Sequence, residues 1–265
     1  MMKDKNQIIK QQKNFISELK QKPLDFISKI DKTEIETILL SGSVARGDYF
    51  PGKYGGMTDL IIMRKPGSMI SPEELLGENQ DPGIPYHCVC SEGNWFEILF
   101  SDFIDIEKFQ MLDEARKSAI MESTVLFDKA GKYGSQSEKI KELTWEYCRK
   151  ELKRNIEYIR YLISDYKKDR WYRREAFLQL HENLNTAINA GIKCLFYINN
   201  LYPPAEDRRL YYSFSLKKLP ENYREKIPDL KTQIAGDKND YFRREKIFRE
   251  VLLNFIEKKA QPTPG

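Results

Sequence analysis

The chain has 265 residues, 44 Lys and Arg against 40 Asp and Glu, and a net charge of +4. Hydrophobic residues make up 40% of it and charged residues 32%, the profile of a globular chain, with no stretch long and apolar enough to span a membrane. So mild a charge does not argue for general nucleic-acid binding, which usually needs a concentrated basic face, and is compatible with small anionic ligands such as nucleotides.

The length suits one large domain or two of ordinary size, each able to bury a substantial core. The four cysteines are Cys88, Cys90, Cys148 and Cys194. With one close pair only, a zinc site is not expected, and reduced structural thiols in a cytoplasmic protein are. The opening segment "MMKDKNQIIKQQKNF" shows no apolar region of a signal peptide, which also fits a cytoplasmic location.

In chain order, residues 7–30 carry apolar side chains at helical spacing, with a break near Pro23. "EIETILLSGS" reads as a strand running into a tight turn, and "DLIIM" as a second buried strand. "YHCVC" and "WFEILF" flank "SEGN" and predict a β-hairpin. Residues 105–121 read as a helix and "STVLFD" as one more strand. Strand signals then vanish. "SEKIKELTWEYCRKELKRNIEYIRYLISDYKKD" fits one helical stripe, and "REAFLQLHENLNTAINAGIKCLFYINNLY" a second long helix ending at Pro203-Pro204. "DRRLYYSFSLKKLPENYREKIPDL" reads as shorter helices broken at Pro220 and Pro228, and "YFRREKIFREVLLNFIEKK" as the last helix. The expected plan is an α+β chain. A mixed sheet flanked by helices occupies residues 1–134, an all-α bundle residues 135–260, and a disordered tail residues 261–265.

The segment "GSVARGDYFPGKYGGMTDLIIM", residues 42–63, holds the chemistry-bearing residues of the first half. A strand ending in Gly42-Ser43 presents backbone N–H groups at a turn, suited to phosphate. Gly42 permits close approach, Ser43 offers a hydroxyl, and Arg46 a charge partner. Asp59 heads the next apolar strand, and Glu97 sits in the middle of "WFEILF". Carboxylates within strands are costly unless paired or bound to metal. Two of them facing a phosphate-binding turn are the ingredients of magnesium-assisted phosphoryl or nucleotidyl transfer.

These residues resemble the DNA polymerase β-like nucleotidyltransferase superfamily, which includes the aminoglycoside, lincosamide and minimal nucleotidyltransferases. The pattern is an apolar residue, Gly, then Gly or Ser, a gap, and acid-apolar-acid-apolar. Leu40, Gly42 and Ser43 supply the start, and Met57, Thr58, Asp59 and Leu60 stand at the end. The resemblance covers about residues 35–128. It implies Mg²⁺ or Mn²⁺ held by Asp59 and Glu97, an NTP with its phosphates at Gly42, Ser43 and Arg46, and transfer of a nucleoside monophosphate to a hydroxyl of a small molecule or protein.

Met57 stands where the resemblance implies the first carboxylate, and a thioether binds hard Mg²⁺ poorly. The alternative is therefore a nucleotide-binding relative without turnover. Asp48, on the same loop, is an accessory carboxylate candidate. Structural readings also exist: Ser43 as a helix cap, Arg46 with Asp48 as a local ion pair, Asp59 as a strand-edge acceptor, Glu97 on a solvated face, and Met57 as a packing residue.

In the second half, Arg174 and His181 are seven residues apart and are expected on one helix face. They resemble the Arg-then-His motif of HEPN domains, some of which are RNases that pair with minimal nucleotidyltransferases. A hydrogen-bonded structural histidine, or a base acting on an acceptor hydroxyl, are the other readings of His181. "KKDRWYRRE" is basic with two aromatics and reads as a solvated helix junction, or as a cover over the site in which Arg170, Arg173 or Arg174 donates to a phosphate or a nucleobase. The expected partners are an NTP and a hydroxyl acceptor. No membrane and no nucleic acid is expected, and a homodimer is compatible.

Overall fold

Six consecutive buried side chains, Ile35–Leu40, mark β1 as a strand covered on both faces. The computed structural model describes residues 5–49, 57–141 and 143–261 of the chain. Residues 50–56, in the stretch between Ser43 and Asp59, and the tail beyond residue 261 lie outside these. The described residues form two compact units, Met1–Glu142 and Leu143–Gly265.

The first unit opens with helices α1 (Lys5–Leu19) and α2 (Gln21–Ser28), then β1, the short α3 (Gly42–Arg46), β2 (Thr58–Arg64) and α4 (Pro72–Leu76). Strands β3 (His87–Ser91) and β4 (Asn94–Asp102) follow, then α5 (Ile106–Met111), α6 (Glu114–Met121), β5 (Thr124–Asp128) and α7 (Lys132–Lys141). The strands make one mixed sheet in the order β3-β4-β2-β1-β5. β2 and β4 run parallel, and the other three pairings are antiparallel.

The β3–β4 hairpin forms as its sequence predicts. Glu92 (φ 50) and Gly93 (φ 75) make a two-residue loop with both backbones left-handed, the turn that matches strand twist, and Ser91 pairs with Asn94. One face of the sheet packs Ile38, Leu40, Leu60, Ile62, Phe96 and Ile98 with α1, α2 and Val44 of α3. Burial of this set anchors the bend that follows β1.

The helix expected over residues 105–121 is two helices. Asp113 breaks it: its side chain accepts from the Arg116 N–H and caps α6, while Leu112 is extended. The domain boundary expected after residue 134 falls inside α7. The Asp128 carboxylate at the end of β5 accepts from the N–H groups of Tyr133 (2.9 Å) and Gly134 (2.7 Å), which ties α7 to the sheet.

The second unit contains α8 (Trp145–Leu162), α9 (Asp165–Tyr172), α10 (Phe177–Ile198), α11 (Glu206–Ser213), α12 (Tyr223–Lys231), α13 (Lys238–Ile247) and α14 (Asn254–Ala260). The single stripe expected from residue 137 to 169 is interrupted twice, because Thr144 caps α8 and Ser164 caps α9. Pro228 does not end a helix as expected; α12 continues past it, with Ile227 and Leu230 buried on either side. The last expected helix runs through α13 and α14 with a π-helical segment, Phe248–Leu253, between them. The core joins Leu152, Ile156 and Ile159 of α8 to Leu184, Ile188, Ile192 and Leu195 of α10 and to Phe248, Leu252 and Ile256. The chain is thus α+β, a mixed sheet with flanking helices followed by an all-α unit. Among the described residues, no helix is long and apolar enough to cross a membrane.

Candidate functional site

The bend after β1 is built on two glycines. Ser41 is extended, and its N–H donates to the Asp59 carbonyl at 2.8 Å, so the strand pairing reaches the turn. Gly42 then adopts φ +64, the left-handed region that glycine tolerates. The Ser43 carbonyl accepts from Gly47 (3.0 Å), Asp48 (3.1 Å) and Tyr49 (3.1 Å), closing α3. Gly47 (φ +81) terminates it in the left-handed conformation favoured there. The N-cap position is Ser41, not Ser43, which lies within the first turn of α3.

Asp59 sits directly against this bend. A Cβ on Gly42 would lie 1.8 Å from Asp59 Oδ2 and 2.4 Å from its carboxyl carbon. The space beside the bare Cα is therefore the space the carboxylate uses.

Glu97 is the register partner of Asp59 on the neighbouring parallel strand. Paired residues on adjacent strands project to the same face, with strands about 4.8 Å apart. The two carboxylates thus stand side by side, on the face opposite Leu60, Ile62 and Ile98. Cys88 pairs with Glu97 from the other side, so Cys88, Glu97 and Asp59 form one row across β3, β4 and β2. Burial first, then the charges of Glu97 and Asp81, push the Cys88 thiol above its ordinary pKa. Sequence reading did not single out Cys88. The signal was present, since a two-residue hairpin loop pairing Ser91 with Asn94 also pairs Cys88 with Glu97.

Met57 immediately precedes Thr58, which pairs with Phe96. It lies just outside β2 and offers a thioether and no charge. Among the described residues, no group of three or more His, Cys, Asp and Glu comes together as a metal site. Two neighbouring carboxylates nevertheless fit a Mg²⁺ that takes its other oxygens from water and a polyphosphate.

Arg46 is engaged by acids. Its Nε lies 3.3 Å from Asp48 Oδ1 and its Nη1 3.5 Å from Glu122 Oε2, with its side chain only 7% exposed and that of Asp48 2%. The local ion pair with Asp48 is therefore formed, and through Glu122 it ties α3 to the turn before β5. Asp48 Oδ2 is buried with no hydrogen-bond partner among the described residues.

The residues singled out in the helical unit do not come together. Arg174 is exposed and lies in the turn after α9. Glu175 (φ 52) reverses the backbone before α10 begins at Phe177, so Arg174 and His181 do not share a helix. His181 is fully buried. Its Nε2 lies 3.0 Å from the Asp237 carbonyl and its Nδ1 2.9 Å from the Arg244 guanidinium. The carbonyl only accepts and the guanidinium only donates, so the proton is on Nε2 and both nitrogens are occupied. The buried Arg244 side chain also donates to the Leu230 carbonyl (2.9 Å), Gln233 (3.3 Å) and Asn185 (2.5 Å). His181 is a structural histidine within this network.

Among solved structures, the chain is similar to the crystal structure of a nucleotidyltransferase-like protein from Exiguobacterium sibiricum 255-15. The match has 10% identity and a TM-score of 0.37, over 86% of this chain and 69% of that one. No family model and no curated protein sequence matches the chain.

Proposed function

We propose that this protein binds a nucleoside triphosphate with a divalent cation at the Gly42–Asp59–Glu97 row and transfers the nucleoside monophosphate to a hydroxyl acceptor. The observation that carries this reading is the placement of Asp59: its carboxylate lies against the bare Cα of Gly42 and beside Glu97 on the adjacent strand. Asp59 and Glu97 would hold Mg²⁺ or Mn²⁺, and the N–H groups and hydroxyl at Gly42-Ser43 would receive the phosphates. The cation supplies charge neutralisation on the triphosphate. The chain's own contribution is positioning: Gly42 gives the Asp59 carboxylate its place against the bend, and β2 and β4 fix the two acids relative to each other. Phosphoryl-type transfer depends mainly on such positioning and charge neutralisation. Arg46, held by Asp48 and Glu122, supports the bend.

Each of the four NTPs, supplied with Mg²⁺ or Mn²⁺ and a panel of hydroxyl acceptors, is tested for pyrophosphate release. Release that Asp59→Ala abolishes supports transfer; an undiminished rate in that variant rejects it.

Met57 favours a second reading, in which the same row holds a metal–nucleotide complex without turnover. Metal-dependent NTP binding with no pyrophosphate release under any acceptor identifies that outcome.

A further inference from the structure

The net charge of +4 conceals an uneven distribution. Leu143–Gly265 carries 25 Lys and Arg against 17 Asp and Glu, whereas Met1–Glu142 carries 19 against 23. Within the helical unit, positive charge meets exposed aromatic rings at α9 and the turn that follows it. Tyr172 of α9 and Phe242 of α13 are 41% and 45% exposed, and their rings lie 6.3 Å apart. Next to Tyr172, Trp171 has the Arg170 guanidinium 5.0 Å and the Arg174 guanidinium 5.7 Å from its ring centroid. Lys167 makes a similar pair with the exposed ring of Tyr161, at 4.4 Å.

The charges of this face are not all neutralised. Arg173 is bound by Asp169 at 2.8 Å, and Lys168 by Asp165 and Glu245. Among the described residues, neither Arg170 nor Arg174 has a carboxylate within 4.0 Å; each lies over the indole, and Arg174 Nη1 also donates to the Arg170 carbonyl at 2.7 Å. The indole Nε1 beneath is buried without an acceptor.

We infer that this face binds single-stranded nucleic acid. Unpaired bases offer flat rings to stack on Tyr172 and Phe242, and the phosphates between them offer oxygens to Arg170 and Arg174. Alternating rings and guanidinium groups that no carboxylate neutralises match that repeat. An acidic peptide supplies the charge but not the flat rings. A membrane surface calls for aliphatic side chains, and Leu178 is the exposed aliphatic residue of the adjoining first turn of α10. When Arg170 and Arg174 turn onto phosphates, the face of Trp171 that they cover becomes a further stacking surface.

The test is fluorescence anisotropy of the full-length protein with a labelled single-stranded RNA of about twelve nucleotides, the scale of such sites, titrated across a salt series. A DNA strand of the same sequence is run in parallel. Binding is expected at low salt. Arg170→Gln combined with Arg174→Gln weakens it about tenfold or more and reduces the salt dependence by roughly two ion contacts. Tyr172→Ala combined with Phe242→Ala weakens it about tenfold and leaves the salt dependence unchanged. Lys258→Ala with Lys259→Ala, on α14, removes as much charge and leaves binding intact. All three pairs are on exposed positions, and circular dichroism checks their folding. The inference is overturned by no binding of either strand at low salt, by equal loss in the Lys258/Lys259 variant, by full binding in the ring variant, or by tighter binding to anionic phospholipid vesicles than to either strand.

Discussion

The Asp59 carboxylate fills the volume that any side chain on residue 42 would need. A methyl group at Gly42 would lie within 2.9 Å of three Asp59 side-chain atoms, and the residue also sits at φ +64. Gly42→Ala is therefore expected to displace Asp59 and abolish metal-dependent nucleotide binding. Gly47→Ala is the matched control. It bears the same kind of backbone strain, at φ +81, but its added methyl lies 3.8 Å from Ile9. Its effect is expected to be confined to about 1 kcal/mol of stability. Equal nucleotide binding in the two variants would contradict the assignment.

The four cysteines are expected to react unequally with a thiol reagent. Cys88, Cys148 and Cys194 are buried, and Cys90 is half-exposed. Burial also pushes the Cys148 thiol up to about 11, and burial with the Glu97 charge raises Cys88, so both remain protonated at neutral pH. Mass spectrometry of the native protein after brief alkylation should find Cys90 modified first. Early modification of Cys88 would mean that the carboxylate row is more open than described.

Arg244 ties four parts of the helical unit together. Its removal would strand the Leu230 carbonyl, Asn185 Oδ1 and His181 Nδ1 without this donor and leave Gln233 Oε1 with the Asn185 amide. Arg244→Met is expected to lower the unfolding free energy by about 3 kcal/mol or more, measured by urea denaturation. Arg244→Lys should not restore it, because an ammonium lacks the planar fork that reaches these acceptors together. A loss under about 0.5 kcal/mol, the size of an ordinary surface substitution, would contradict the network's role.

Acid should weaken the same unit. Asp240 is buried, which raises its pKa, yet the Ile234 N–H, the Arg243 hydrogen bond and the charges of Arg243 and Arg244 together hold it below the usual 3.8. A carboxyl depressed by folding contributes stability that is complete above its unfolded value and is lost as pH falls through its folded one. Unfolding free energy should therefore drop below about pH 4, and Asp240→Asn should flatten that part of the profile. An unchanged acid slope in the variant would remove Asp240 from the account.

The strands were legible in the sequence because each joins buried β-branched and apolar residues to abrupt turn residues. Gly42, Asp59 and Glu97 were legible as a set because they lie at or within three such strands. The shape of the Arg46–Asp48–Glu122 cluster was not, since Glu122 meets Arg46 only after β5 has paired with β1. The supposed Arg174–His181 face was misread because spacing gives no warning of the left-handed backbone at Glu175. That residue 134 lies within α7 was not legible, because the bonds from Asp128 to Tyr133 and Gly134 carry no sequence period.

The most direct measurement is manganese binding followed by electron paramagnetic resonance, with and without a nonhydrolysable triphosphate, in the unaltered protein and in Asp59→Asn and Glu97→Gln. The account predicts manganese bound tightly only together with the triphosphate, and weakened at least about tenfold by either substitution, the effect of losing one charged ligand. Triphosphate binding that ignores manganese, or manganese binding that survives both substitutions, would contradict it.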